Sequence, residues 1–267
     1  MPELPEVETV RRTLRPLLGR TIAAVDVRAP AAVRTHRPRQ FATLLVGRRL
    51  VRAERRGKAL LIGITGGLVL VVHFRLWGIL RFSPAEISAD KDSAVVLRLK
   101  DDGALEFREL QLSTLELYAQ DDLAAVPHLA KLGLDPLAPA FTRPRFTALM
   151  AGRATIHAIL TDQTRIAGIG NLWAHEILHA ARLRPGRSAA RLAPRERDAL
   201  YRAIRSVLRR AIRAGGEPEF SDVSGRKGRA VLAVYGRAGR RCPRGDGTIV
   251  AARAGGRPSF YCPACQR

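Results

Sequence analysis

From Leu4 to Leu17 the apolar residues Leu4, Val7, Val10, Leu14 and Leu17 recur every three or four positions, which is one face of a helix. Pro5 suits a first helical turn, and Pro16 limits the far end. From about residue 21 to 118 the period shortens. Apolar or alternating runs cover 22–27, 49–55, 59–64, 68–74, 79–82, 94–99 and 104–107, and turn formers such as Gly57, Gly66-Gly67 and Asp101-Asp102-Gly103 separate them. Many short strands at this spacing predict a β-sandwich. Beyond about residue 121 the helical period returns. Pro127 and the stretch 136–144 mark a connection, and helices are predicted over 144–151, 156–163, 172–181 and 194–214. The last places Leu200, Ile204, Leu208, Ala211 and Ile212 on one face and stops at Gly215-Gly216. A short basic linker at 225–228 leads to a tail of hairpin character. The fold class is therefore multidomain α+β, divided at 1–120, 121–228 and 229–267.

Charge sharpens that picture. The 267 residues carry 46 Lys and Arg against 24 Asp and Glu, a formal net charge of +22. From 182 to 241 there are 17 basic residues and 5 acidic ones, so much of the excess sits in one region. Solubility alone needs no such clustering; a polyanionic partner does, and nucleic acid is the first candidate. No apolar run reaches the roughly 18 residues of a membrane span, and the N-terminus carries acids in place of a signal-peptide core. The expectation is a soluble, cytoplasmic, nucleoid-associated monomer with no membrane contact. The three cysteines, Cys242, Cys262 and Cys265, all fall in the last 26 residues, which argues against a disulfide scaffold and for a small metal site or the remnant of one. A full C-x2-C…C-x2-C array would bind zinc tetrahedrally, but Gly245 stands at the second cysteine position. Asp246 follows at once and offers an oxygen ligand. Three thiolates with Asp246, three thiolates with water, and a metal-free ribbon all fit this tail.

The first residues, Pro2-Glu3-Leu4-Pro5-Glu6-Val7-Glu8-Thr9, read either as a helix start or as chemistry. Once Met1 is removed, Pro2 carries a secondary α-amine. Such an amine titrates near about 8, so much of it is an uncharged nucleophile at neutral pH. It can attack a sugar aldehyde carbon to form a Schiff base, with a neighbouring carboxyl moving protons. A retained Met1 would acylate that nitrogen and abolish the chemistry. Gly57-Lys58, between two predicted strands, puts a lysine at a hairpin tip. In Gly168-Ile169-Gly170-Asn171, two glycines permit a tight turn, Asn171 is expected to N-cap the next helix, and the exposed amides suit a phosphate. Arg257, Phe260 and Tyr261 suit a finger that touches DNA.

In this order, these segments resemble the formamidopyrimidine-DNA glycosylase and endonuclease VIII family of base-excision repair enzymes. The likeness runs end to end, through residues 2–9, Gly57-Lys58, 73–78, 168–171, Val234-Tyr235-Gly236-Arg237 and 257–265. It implies an N-terminal β-sandwich, a helix–two-turn–helix domain and a zinc finger, with damaged DNA as partner. It also implies a bifunctional glycosylase and AP lyase. Pro2 would attack C1′ of a flipped nucleotide, and β,δ-elimination would follow. Glu3 would transfer protons at the sugar, Glu6 would support the site, Lys58 would serve β-elimination, and Arg257 would orient phosphate and assist δ-elimination. Asn171 and Tyr235 would hold the DNA backbone. Leu76 stands where relatives usually carry a methionine wedge. Glu109-Leu110-Gln111-Leu112-Ser113-Thr114 lacks the arginine and phenylalanine of the purine-lesion enzymes, and 215–229 is short for the loop that caps 8-oxoguanine. The expected substrates are therefore oxidised pyrimidines or abasic sites rather than 8-oxoguanine. Two other readings compete: a catalytically idle damage-binding protein on the same scaffold, and a zinc-ribbon ribosomal or transcription factor. The last leaves the N-terminal amine unexplained.

Overall fold

The structure is a computed structural model that describes residues 2–76, 78–84, 90–108, 113–254 and 257–267. The chain divides into two compact units. One comprises Met1–Ala130 with Ala214–Arg229, and the other Lys131–Arg213 with Ala230–Arg267. Compared with the three segments expected, the helical segment and the tail fall in one unit, and 214–229 joins the first.

The first unit begins with helix α1 (Leu4–Thr13), whose Leu4, Val7 and Val10 are fully buried. The expected face continues through Leu14 and Leu17, also buried, but the α-helix stops earlier. Pro16 cannot supply the next amide, and Arg15–Leu17 tightens into a 3₁₀ turn. Then follow β1 (Ile22–Val27), α2 (Pro38–Leu45), β2 (Leu50–Arg56), β3 (Ala59–Ile64), β4 (Leu68–His73), β5 (Ile79–Ser83), β6 (Ser93–Leu99), β7 (Ala104–Arg108), β8 (Thr114–Ala119) and α3 (Pro127–Ala130). One antiparallel sheet has the order β2-β3-β4-β8 and the other β1-β6-β7-β5. Their facing side chains, among them Leu60, Ile62, Leu70 and Val72 from one sheet and Val95, Leu97, Leu105 and Phe107 from the other, form a shared core. This is the sandwich that the strand spacing predicts.

Among the described residues, α2, β8 and the single turn of α3, where Pro127 is expected to mark a connection, escaped the sequence pattern. Helix α2 is short and buries only Phe41 and Leu45, one turn apart. Strand β8 pairs along β4 from His73↔Thr114 to Leu68↔Ala119 and buries Leu115 and Leu117. Segment 214–229 completes this core with Phe220 and Val223, and the Val223 carbonyl accepts the Phe82 amide of β5 at 2.7 Å. Gly228 allows the close pass, since a Cβ there would lie 2.2 Å from the Glu217 carbonyl oxygen.

The second unit holds α4 (Arg143–Leu149), α5 (Ile156–Thr161), α6 (Asn171–Ala180), α7 (Pro194–Arg213) and the hairpin β9 (Val250–Ala254)–β10 (Arg257–Tyr261). Thr155 caps α5 by accepting the Ala158 amide. Helix α7 buries Leu200, Ile204, Val207, Leu208, Ala211 and Ile212, while Arg195, Arg202, Arg209, Arg210 and Arg213 face solvent. The tail packs around Val234, Cys242, Ile249, Cys262 and Cys265.

Candidate active site and metal centre

Pro2, Glu3 and Glu6 are all buried at the N-terminal end of α1, with Glu3 3% and Glu6 1% exposed. Carboxylates there are favoured by the helix dipole. Glu6 Oε2 accepts the Glu3 amide at 3.0 Å, and its other oxygen accepts the Glu217 amide at 3.0 Å. The same carboxylate lies against Gly216, which holds a φ of 92°. Glu6 therefore anchors the returning 214–229 segment beneath the first turn of α1. That segment brings Glu217 into the group. Burial holds the Glu217 carboxyl above its ordinary range, and the nearby Glu3 pushes the same way. Sequence reasoning missed Glu217, because no local pattern links it to a turn more than 200 positions earlier.

Helix α1 packs on β2 and β3, and Glu8 orders this contact. It accepts hydrogen bonds from Arg11 and Arg12 and lies 3.4 Å from Arg55. Burial alone would raise its pKa; the hydrogen bonds from Arg11 and Arg12 outweigh that and hold the carboxyl down to about 2. Two residues past Arg55 comes the tight turn Gly57-Lys58, with Gly57 at φ 57°. Lys58 is half-buried at this hairpin tip. The next strand sets His73 opposite Ala59, so the chain leaving β4 passes beside Lys58. Burial lowers the His73 pKa to about 4, with Arg75, His128 and Lys58 adding to it. The turn that follows carries the chain from one sheet to the other. It is closed by Gly78 donating to the Phe74 carbonyl at 2.9 Å, with Arg75 at φ 47°. Leu76 sits on this turn at 46% exposure, although Phe74 beside it is buried. Residues 109–112, where the missing arginine and phenylalanine are sought, lie outside the described residues; Ser113, just after them, donates to the Phe74 carbonyl.

In the second unit, Gln163 ties the glycine turn. Its Oε1 accepts the Gly168 amide at 2.8 Å, and its Nε2 donates to the Ile169 carbonyl at 2.7 Å. The expected N-cap is corrected by one residue: Gly170 occupies that position, and Asn171 is the first residue of α6. The Asn171 side chain turns elsewhere. Its Oδ1 lies 3.0 Å from His157 Nε2, and its Nδ2 donates to the Pro258 carbonyl at 3.2 Å. One turn on, His175 Nε2 lies 3.0 Å from Ser259 Oγ. Burial first, and His157 second, lower its pKa to about 4, so it is neutral at pH 7. Glu176 accepts three amides, from Ala233, Val234 and Tyr235, and so fixes the turn that carries Tyr235. Tyr235 packs edge-on against Phe260, their ring centres 5.3 Å apart. Arg257 opens β10, paired with Ala254; its side chain lies outside the described residues.

The expected metal ligands separate. Cys242, Cys262 and Cys265 are buried and free of disulfides, and the Cys242 and Cys265 sulfurs lie 3.9 Å apart. Asp246 is exposed and is not part of the donor cluster found among the described residues. That cluster comprises Cys242, Cys265 and a residue that the sequence reading missed, His179, with donor atoms all within 4.8 Å of one another.

Comparison with known proteins decides the lineage. The formamidopyrimidine-DNA glycosylase N-terminal domain family matches residues 1–112, and the formamidopyrimidine-DNA glycosylase H2TH domain family matches 132–221. The formamidopyrimidine-DNA glycosylase of Pelotomaculum thermopropionicum is 39% identical, over 100% of this chain and 99% of its own. The chain belongs to the formamidopyrimidine-DNA glycosylase family. Within this family of glycosylase/AP lyases, the wild-type Fpg of Lactococcus lactis in complex with DNA containing N7-benzyl-Fapy-dG has a TM-score of 0.92 at 30% identity, covering 100% of both chains. The same protein with DNA containing an oxidised pyrimidine gives 0.91 at 30% identity, again over both whole chains.

Proposed function

We propose that this glycosylase binds damaged duplex DNA and works through an imine on Pro2. The observation that carries the reading is the convergence of Glu3, Glu6 and Glu217 on the start of α1, next to a buried Pro2. The freed Pro2 nitrogen attacks C1′ of the damaged nucleotide. The base departs with the glycosidic electron pair and is protonated; the deoxyribose ring then opens, the C1′–O4′ bond breaking as O4′ takes a proton, which leaves an iminium at C1′. Loss of a C2′ proton expels the 3′-phosphate, and a second elimination expels the 5′-phosphate, after which water releases the sugar fragment and regenerates the amine. Carboxyl groups beside the reacting nitrogen can pass these protons, and Glu3 and Glu217, grouped at the start of α1, are the ones assigned to the transfers; burial shifts Glu217 towards its protonated form. Glu6, committed to two amides, is the support. Lys58 and Arg257 serve the phosphates, and Asn171 and Tyr235 the DNA backbone.

The substrates are oxidised pyrimidines and abasic sites in preference to 8-oxoguanine. The 214–229 segment supports this, because Phe220 and Val223 are drawn into the core and Asp222 accepts the amides of Ser224 and Arg226. A segment so tied has little length left to close over a purine. A zinc ion held by Cys242, Cys262 and Cys265 stabilises the tail that presents Arg257.

Borohydride reduction during turnover tests the central claim. Protein lacking Met1 is expected to become covalently joined to abasic-site DNA, and Pro2→Gly to reduce that adduct sharply. Tight binding without adduct or strand cleavage would instead favour the idle damage-binding reading.

A further inference from the structure

The tail supplies three thiolates, and the position where the family pattern expects a fourth cysteine is Gly245. Zinc in a structural site takes four protein ligands. We propose that the fourth is His179, on α6, making a Cys3His centre that clamps the finger to the helix following the glycine turn. The proposal rests on the reading that this tail holds zinc.

Three of the four donors, His179, Cys242 and Cys265, already lie within 4.8 Å of one another, and two of their spacings match a zinc tetrahedron. Zinc–sulfur bonds of about 2.3 Å and zinc–nitrogen bonds of about 2.0 Å give tetrahedral S···S edges near 3.8 Å and S···N edges near 3.5 Å. Cys242 and Cys265 sulfurs stand 3.9 Å apart, and His179 Nε2 is 3.4 Å from the Cys242 sulfur. Cys262 is buried with its thiol influenced by both Cys242 and Cys265, but it stands outside the group of donors within 4.8 Å of one another, so its side chain would have to close in to complete the centre. All four side chains are buried, His179 at 5% exposure, whereas Asp246 is exposed at the tip of its turn. Charge agrees. Three thiolates and a neutral imidazole around Zn2+ leave one net negative charge. Arg244 faces it, its Nη1 lying 3.8 Å from the Cys265 sulfur while it donates to the His179 and Ala180 carbonyls at the end of α6.

The position of His179 on the helix gives the ligand a purpose. Asn171, His175 and His179 are spaced four apart and so lie along one face. Asn171 touches Pro258, His175 touches Ser259, and His179 touches Cys242. The same face that reads β10 would thus end in the metal. A ligand drawn from the helix, where the usual pattern keeps all four in the finger, makes metal occupancy a condition of finger-to-helix attachment.

Zinc-edge X-ray absorption on the full-length protein tests this, with metal content measured on the same sample. One zinc per chain is expected, with three sulfurs and one nitrogen and the outer-shell scattering of a single imidazole. His179→Cys should retain the metal, show four sulfurs and lose the imidazole signature. Asp246→Ala should leave the spectrum unchanged. In chelator competition, His179→Ala should weaken zinc affinity by at least about 100-fold. Bound zinc without imidazole scattering, or a first shell altered by Asp246→Ala, would overturn the His179 assignment while leaving a zinc finger. An imidazole signature that survives in His179→Cys would do the same. Protein free of zinc after purification with the metal present would overturn both readings.

Discussion

Glu8 and Leu76 are side chains with opposite duties. Glu8 is buried, and three arginines face it, so its ionised form is favoured in the folded state. Because its folded pKa, about 2, lies below the ordinary value of 4.5, its stabilising contribution is complete above about pH 4.5 and fades as the pH falls towards 2. Glu8→Gln is expected to cost about 2 kcal/mol at pH 7 and to flatten the acid limb of Tm against pH, measured by calorimetry. Leu76 is nearly half exposed on a tight turn, with Arg75 in the left-handed region before it. An exposed leucine contributes little to folding, but it can fill the space left by an extruded base. Leu76→Ala should leave Tm within about 1 °C while lowering excision of a damaged base roughly 10-fold, because the cost of unstacking is no longer offset. Cleavage at preformed abasic sites should fall less. Equal losses on both substrates would remove the wedge role.

At the scale of elements, the decisive one is the returning turn at 214–229. Gly216 has a φ of 92°, and a Cβ there would lie 2.9 Å from Glu6 Oε1. Gly216→Ala should therefore destabilise the protein by about 1–2 kcal/mol and reduce imine trapping more than DNA binding, since it displaces Glu6 and Glu217 together. Trapping that matches the parent protein would show that the turn does not position the carboxyls. Here the limits of the sequence are physical. Seven strands and the long α7 announce themselves through apolar period, which burial enforces directly. β8 was missed because Thr114, Glu116 and Tyr118 leave only Leu115 and Leu117 to signal it. The grouping of Pro2, Glu3 and Glu6 could be read from the sequence because all three fall within the first six residues. Glu217, Glu176 and His179 could not, since each acquires its partner from a distant part of the chain. His179 left one trace: with Asn171 and His175 it forms a polar row of period four in a helix whose other residues, Glu176 apart, are apolar.

For the whole molecule, charge is the feature that composition alone supplied. A formal +22, with exposed arginines along α7, implies that binding to duplex DNA is driven largely by release of counterions. Raising salt from 50 to 200 mM should weaken binding to undamaged duplex by about 10³-fold, with the logarithm of affinity linear in that of salt concentration, followed by fluorescence anisotropy. A flat response would deny the phosphate backbone its role. Among the described residues, no helix is long and apolar enough to cross a membrane.

Residues 214–229 arrive late in synthesis but belong to the first unit's core. A fragment ending at Ala130 would present an open slot where Phe220 and Val223 belong, an unanswered Phe82 amide and a Glu6 carboxylate without the Glu217 amide. The first unit is thus not a portable module: on the ribosome it stays unfinished until most of the polypeptide has emerged, and it cannot be split off or grafted by cutting at the obvious sandwich boundary.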